Sequence, residues 1–177
     1  MLIGIAGAAG SGKTTLAEGL ADEYFITIHG LADPIKRALE TMFGLDSRIW
    51  DDRVAKEEPI PEIGRSPRYL AQTLGTEWGR ELVHPELWIK IADVKHQQHK
   101  SLIIPDVRFQ NEAEWIRNNS GAILYITRPG QEIISENGHS SEAGFDKSLI
   151  TNRIVNDGSI QDLITKGKES LICGFGF

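Results

Sequence analysis

Eight residues near the start of the chain, Gly7-Ala8-Ala9-Gly10-Ser11-Gly12-Lys13-Thr14, satisfy the pattern G-x-x-x-x-G-K-[ST] at every defined position. The pattern has physical force only between a strand and a helix, and both flanks are present. Leu2-Ile3-Gly4-Ile5-Ala6 is a short apolar run suited to a buried strand, and Thr14 to Ala21 carries apolar residues at helical spacing. In that setting the glycines let successive backbone N–H groups turn inward around phosphate oxygens, and the helix that follows aims its positive end at them. Lys13 is then expected to reach the β- and γ-phosphates of a nucleotide, and the Thr14 hydroxyl to ligate magnesium.

The remaining chain continues the alternation of strand and helix. Phe25-Ile26-Thr27-Ile28-His29 reads as a second strand, and Asp33-Pro34 opens a helix with Ile35, Leu39, Met42 and Phe43 on its apolar face and Gly44 at its end. Asp46 to Ser66 mixes charges with Pro59, Pro61 and Gly64 and keeps no period, so it reads as a mobile connection, about 45–66. Ser66-Pro67 starts a helix that Gly75 is expected to end, Thr76 caps a short one through Leu82, and His84-Pro85-Glu86 begins another with Leu87, Trp88, Ile91 and Val94 inward. Trp78 and Trp88 are expected in the core because aromatic rings bury so much area.

Leu102 to Asp106, Ala122 to Ile126 and Arg153 to Val155 supply three more strands, with a helix from Gln110 to Asn119 and a last one capped by Ser159 and Asp162. The order predicts an α/β, three-layer fold: a parallel five-stranded sheet with helices on both faces and a site at the strands' C-terminal ends. With 177 residues, one domain is the expectation. A net charge of −6 argues against nucleic acid or an anionic membrane as the principal partner, so phosphate would be met in a local basic pocket and the partner would be small. The single cysteine, Cys173, leaves no internal disulfide and points to a reducing compartment. No apolar run has the length of a membrane span and the first residues read as strand and loop, so a cytoplasmic location is expected.

Charged residues gather where such a fold would hold a ligand. Asp106 follows the third strand and can hold magnesium through water, accept from a substrate hydroxyl, or simply cap a helix. Arg108, two residues on, can grip a phosphate with its planar fork of donors. Arg65 and Arg68 flank Ser66-Pro67 and either close over a second phosphorylated substrate or stand as a solvated helix start. Arg128 follows the fourth strand at the entrance to a lid-like polar segment, about 129–148, where an arginine can neutralise charge on a moving phosphoryl group. The histidines show no metal-ligand spacing with the cysteine or with each other, and no Ser/His/Asp order stands out.

Several separated stretches together resemble the deoxynucleoside monophosphate kinases of tailed bacteriophages: the Gly7 to Thr14 loop, Leu31-Ala32-Asp33-Pro34-Ile35-Lys36, Leu74-Gly75-Thr76, Ile104-Pro105-Asp106-Val107-Arg108, Arg128-Pro129-Gly130-Gln131, Ser141-Glu142-Ala143-Gly144 and Asn156-Asp157-Gly158-Ser159. The resemblance implies a P-loop kinase fold, ATP with magnesium as donor, a deoxynucleoside monophosphate as acceptor, and a homodimer, in the host cytoplasm if the chain is phage-encoded. It implies that Gly10, Ser11, Gly12, Lys13 and Thr14 bind ATP, and Thr15, next in the first helical turn, is a further candidate for the same phosphates. The resemblance also implies that Lys36, Arg68, Gln72, Thr76, Asp106 and Arg108 serve the acceptor, where the position of Arg65 also puts it among the substrate-binding candidates, and that Arg128 and Glu142 belong to the lid side. The stretch between Phe43 and Ser66 is shorter than in the larger members of that family. Two other readings stand beside this one: a kinase for another phosphorylated metabolite, similar to phosphomevalonate kinases, and a nucleotide-switched binding module or nucleic-acid motor subunit.

Overall fold

Near-continuous apolar runs form the strands, as a parallel sheet buried on both faces requires. In the computed structural model, which describes residues 1–130 and 144–175, these are β1 (Leu2–Gly7), β2 (Thr27–Ile28), β3 (Leu102–Ile104), β4 (Ala122–Thr127) and β5 (Asn152–Val155). They lie in the order β2-β3-β1-β4-β5, every pair parallel. The expected five-stranded parallel sheet is thus present.

The chain divides into two compact units, residues 1–30 with 92–177, and residues 31–91. The first contains the sheet with helices α1 (Lys13–Tyr24), α5 (Gln110–Asn118) and α6 (Ile160–Phe175). Alternation along the strands sorts the two faces. Ile3, Ile5, Ile103, Leu124 and Ile126 are buried with Leu16, Ala17 and Leu20 of α1 and Leu163 and Leu171 of α6. Gly4 and Ile123 point the other way, where a side chain on Gly4 would strike Ile116 of α5. From β1 the chain turns back through α1 toward β2, and from β4 it proceeds outward to β5. Opposite departures from neighbouring strands mark the place, at the strands' C-terminal ends, where open α/β sheets hold their ligands.

Phe25 departs from the sequence expectation. It has φ 55, closes α1 by donating its N–H to the Ala21 carbonyl, and is 94% exposed, so β2 is cut to two residues at the sheet edge.

The second unit holds α2 (Asp33–Phe43), two 3₁₀ turns (Ser47–Trp50 and Ala55–Glu57), α3 (Pro67–Thr73) and the start of α4 (Leu87–His99). Ile35 and Leu39 of α2 are buried as expected, whereas Met42 is exposed. Gly44 ends the helix in the left-handed conformation. Asp46 and Asp52 accept backbone N–H groups within the stretch read as a loose connection, which gives it short turns of its own. Ser66 caps α3 by accepting the Tyr69 N–H, with Pro67 in the first turn.

Gly75 does not end that helix, and Thr76 does not cap a new one. Instead α3 runs directly into a π-helix, Leu74–Val83. The reason lies thirteen residues on: the Trp88 indole N–H donates to the Gly75 carbonyl at 2.7 Å, and its ring lies where a Gly79 side chain would be. Both glycines are there for close packing rather than to punctuate the chain. The ring that fills this space is Trp88, which is buried, while Trp78 is 47% exposed. On α4 the buried face is Trp88, Ile89 and Ala92, and Val94 is turned outward.

Candidate phosphate-binding site

The loop leaves β1 through Gly7 (φ 140), Gly10 (φ 78) and Gly12 (φ 108), backbone values that side-chain-bearing residues rarely adopt. Gly12 then caps α1 with no side chain over the helix end, so the first-turn N–H groups remain the natural donors to an anion. Ser11 is 1% exposed, and its hydroxyl has no hydrogen-bond partner among the described residues. A buried polar atom of that kind fits a loop shaped for an oxygen-rich ligand. Thr14 is exposed at the start of α1 and Thr15 is half-buried beside it.

Lys13 folds back onto its own loop. Its ammonium donates to the carbonyl oxygens of Gly7 and Ala8, both at 2.7 Å. Burial is the largest influence on this group and lowers its pKa; the positive charge of Arg108 lowers it further and the carboxylate of Asp106 opposes both. Asp106 and Arg108, which follow β3, therefore lie within electrostatic reach of the loop that follows β1. That is the grouping expected at the C-terminal edge of the sheet.

Arg108 is exposed, but its backbone is tightly held. Glu112, 2% exposed, accepts the N–H groups of Arg108 and Phe109 at 2.7 and 3.0 Å. Sequence reasoning missed Glu112. The signal was an acid in the third position of α5, the place from which a carboxylate reaches back to the chain entering a helix. Beyond residue 143, Gly144 pairs with Phe109 in a parallel bridge and the Asp146 N–H donates to the Gln110 side chain at 2.7 Å. Phe145 between them is buried, so the end of the lid-like segment is fastened beside Arg108. Glu142, and with it residues 131–143 of that segment, lies outside the described residues. Arg128 is exposed just past β4.

The remaining candidates belong to the second unit. Lys36 is half-buried on α2. The Arg65 guanidinium lies 4.9 Å from the centre of the Tyr69 ring, and Arg68 pairs with Glu57 at 2.8 Å with both side chains about half exposed. Arg68 and Gln72, four residues apart, share one side of α3, and Thr76 is exposed on the π-helix. A further residue that sequence reasoning left without a role is Asn156, whose side-chain amide donates to the Ser11 carbonyl at 2.8 Å. Among the described residues, no helix is long and apolar enough to cross a membrane.

Comparison with known proteins gives a consistent result. The family model for deoxynucleotide monophosphate kinase matches residues 54–166. A protein of Acanthamoeba polyphaga mimivirus, provisionally described as a deoxynucleotide monophosphate kinase, is 34% identical over 179 aligned positions, covering 89% of this chain and 91% of the viral protein. The deoxynucleoside-5′-monophosphate kinase of Escherichia phage T5 is 32% identical over 57% of this chain, and the deoxynucleotide monophosphate kinase of Enterobacteria phage T4 is 32% identical over 60%. Those matches span 43% and 45% of the phage proteins, less than half their length. Among solved structures, shikimate kinase from Aquifex aeolicus superposes with a TM-score of 0.55 at 14% identity, covering 97% of this chain and 96% of that one. This last likeness bears on the fold alone.

Proposed function

The chain belongs to the deoxynucleotide monophosphate kinase family, and from that premise we propose that it transfers the γ-phosphoryl group of ATP to a deoxynucleoside 5′-monophosphate, giving the diphosphate and ADP. The observation that carries this reading is the Gly7 to Thr14 loop, its Lys13 ammonium held on the Gly7 and Ala8 carbonyls within electrostatic reach of Asp106 and Arg108. Phosphoryl transfer needs little covalent chemistry from a protein; it needs phosphates held in line and their charge offset, and this cluster is suited to both.

Gly10, Ser11, Gly12, Lys13, Thr14 and Thr15 are assigned to the phosphates of ATP. Lys13 exchanges its two loop carbonyls for phosphate oxygens, a change from neutral to charged acceptors that favours the nucleotide complex. The Thr14 hydroxyl and, through water, Asp106 are the oxygen donors that suit magnesium, which when bound neutralises charge on the β- and γ-phosphates. Lys36, Arg65, Arg68, Gln72 and Thr76 are assigned to the acceptor monophosphate together with Asp106 and Arg108. Arg128 is assigned to the transferred group, and Glu142 to substrate binding on the lid side. A reducing cytoplasm, that of the host for a viral chain, suits a chain with one cysteine, and a homodimer is the assembly we assign.

The test is a panel of deoxy- and ribonucleoside monophosphates incubated with labelled ATP and magnesium, followed by separation of the products. Labelled deoxynucleoside diphosphate is expected. Transfer only to a phosphorylated metabolite that is not a nucleotide, or ATP hydrolysis that responds to DNA and to no monophosphate, would replace this reading.

A further inference from the structure

The turn after β5, Asn156-Asp157-Gly158-Ser159, has no part in the scheme above, yet it touches the phosphate loop directly. The Asn156 amide nitrogen lies 2.8 Å from the Ser11 carbonyl oxygen, a contact that spans 145 residues of sequence and is buried. A carbonyl can only accept, so the nitrogen of the amide, not its oxygen, must face it. Asn156 is 7% exposed, and its own backbone N–H donates to the Thr127 carbonyl at 2.8 Å, fixing it to the end of β4. The turn is braced on its far side as well. Lys166 bridges the Val155 carbonyl and the Asp157 carboxylate, while Ser159 and Asp162 exchange hydrogen bonds at the start of α6.

In a planar trans peptide the C=O and the following N–H point in opposite directions. With the Ser11 carbonyl turned to Asn156, the Gly12 N–H is directed away from Asn156. Gly12 is also what lets the amide approach: a side chain there would sit 2.6 Å from the Asn156 nitrogen and 3.1 Å from Leu163. The same glycine, at φ 108, offers little resistance to rotation of the peptide before it. Rotated by half a turn, that peptide would present a carbonyl oxygen in place of the N–H.

We propose that Asn156 is a positioning residue: it fixes the orientation of the Ser11–Gly12 peptide so that the Gly12 N–H, and not the Ser11 carbonyl, faces the phosphates of the nucleotide. The proposal rests on the assignment of the Gly7 to Thr14 loop to ATP.

The test uses the full chain and magnesium-ATP alone, by titration calorimetry, with circular dichroism to confirm folding. Asn156→Asp keeps the shape but sets a carboxylate against the Ser11 carbonyl, and Asn156→Ala removes the donor without adding charge. Each is expected to weaken magnesium-ATP binding by about 10- to 100-fold, the usual cost of losing a supporting contact behind a binding group. The KM for the monophosphate should stay within about twofold of wild type. For Asn156→Asp the deficit, taken relative to wild type at each pH, should narrow as the pH falls into the carboxyl range, because a protonated carboxyl can again donate to Ser11. A purely architectural role would not produce that recovery. Unchanged magnesium-ATP affinity in both variants, equal rises in KM for both substrates, or a deficit independent of pH would overturn the proposal. Failure of the wild-type protein to bind magnesium-ATP would instead remove the nucleotide assignment on which it rests.

Discussion

The Lys13 ammonium donates to the carbonyl oxygen of Gly7 at 2.7 Å, so the loop's backbone satisfies the very charge that the loop offers to a phosphate. The contact makes no use of the hydrophobic core, and its loss should spare the fold. Lys13→Ala is therefore expected to lower kcat by about 10²- to 10³-fold, the range found when one preorganised charge-stabilising contact is removed. Circular dichroism and the melting temperature should stay close to wild type. Near-normal turnover of a deoxynucleoside monophosphate by this variant would take Lys13 out of the mechanism.

The same lysine should leave a mark on stability at alkaline pH. Burial, aided by Arg108, lowers its pKa from the ordinary 10.5. Between the lowered value and 10.5 the unfolded chain holds a proton that the folded chain has released, so stability rises with pH across that window. Below the window both states are protonated and the folded state carries the full cost of the buried charge. Lys13→Met removes the titration. Its stability relative to wild type, measured from urea midpoints at a series of pH values, should be most favourable near neutrality and decline as pH approaches 10.5. A difference that does not change with pH would contradict this account.

Much of the sheet was legible in the sequence because parallel strands buried on both faces are contiguous apolar runs, as in Leu2 to Ala6 and Ala122 to Ile126. The loop was legible because its glycines and Lys13 serve a local geometry. What failed were inferences in which a local signal was overruled by a distant partner. Gly75 reads as a helix end, yet its carbonyl is taken by Trp88 and the helix widens and continues. Phe25 is a local exception: it reads as a strand residue by composition but closes α1 in a left-handed conformation, its N–H given to Ala21. Asn156 escaped assignment for a reason related to that of Gly75, since it acts on the backbone of a loop 145 residues away, whereas Glu112 carried a local signal, an acid at the third position of a helix, that was simply passed over.

Arg108 and Arg68 are assigned to the acceptor, and their surroundings make the assignment testable. The Arg68–Glu57 pair is half exposed on both sides, so breaking it should cost about 0–1 kcal/mol, too little to confuse with a folding defect. Arg68→Ala and Arg108→Ala should each raise the KM for the monophosphate at least about tenfold while moving that for ATP by less than about threefold. Equal effects on the two substrates, or a change confined to ATP, would reverse the assignment.

Gly144 provides the last prediction, because the chain passes Arg108 there at a distance that leaves no room for a side chain. A Cβ on Gly144 would lie 2.6 Å from the Arg108 carbonyl oxygen, and this neighbour is backbone rather than the end of a flexible side chain. Arg108 cannot readily yield, since Glu112 holds both its N–H and that of Phe109. Gly144→Ala should therefore break the Phe109–Gly144 bridge and cost about 1–3 kcal/mol, as overpacking of a close contact does. For a domain of this size that is a fall in melting temperature of roughly 2–12 °C. The chain from Gly144 to Asp146 then no longer braces Arg108, so the KM for the monophosphate should rise in the same sense as for Arg108→Ala, with ATP affinity little changed. Unaltered stability together with an unaltered KM would mean that residues 144–146 can leave Arg108 without consequence, and that the arginine is held by Glu112 alone.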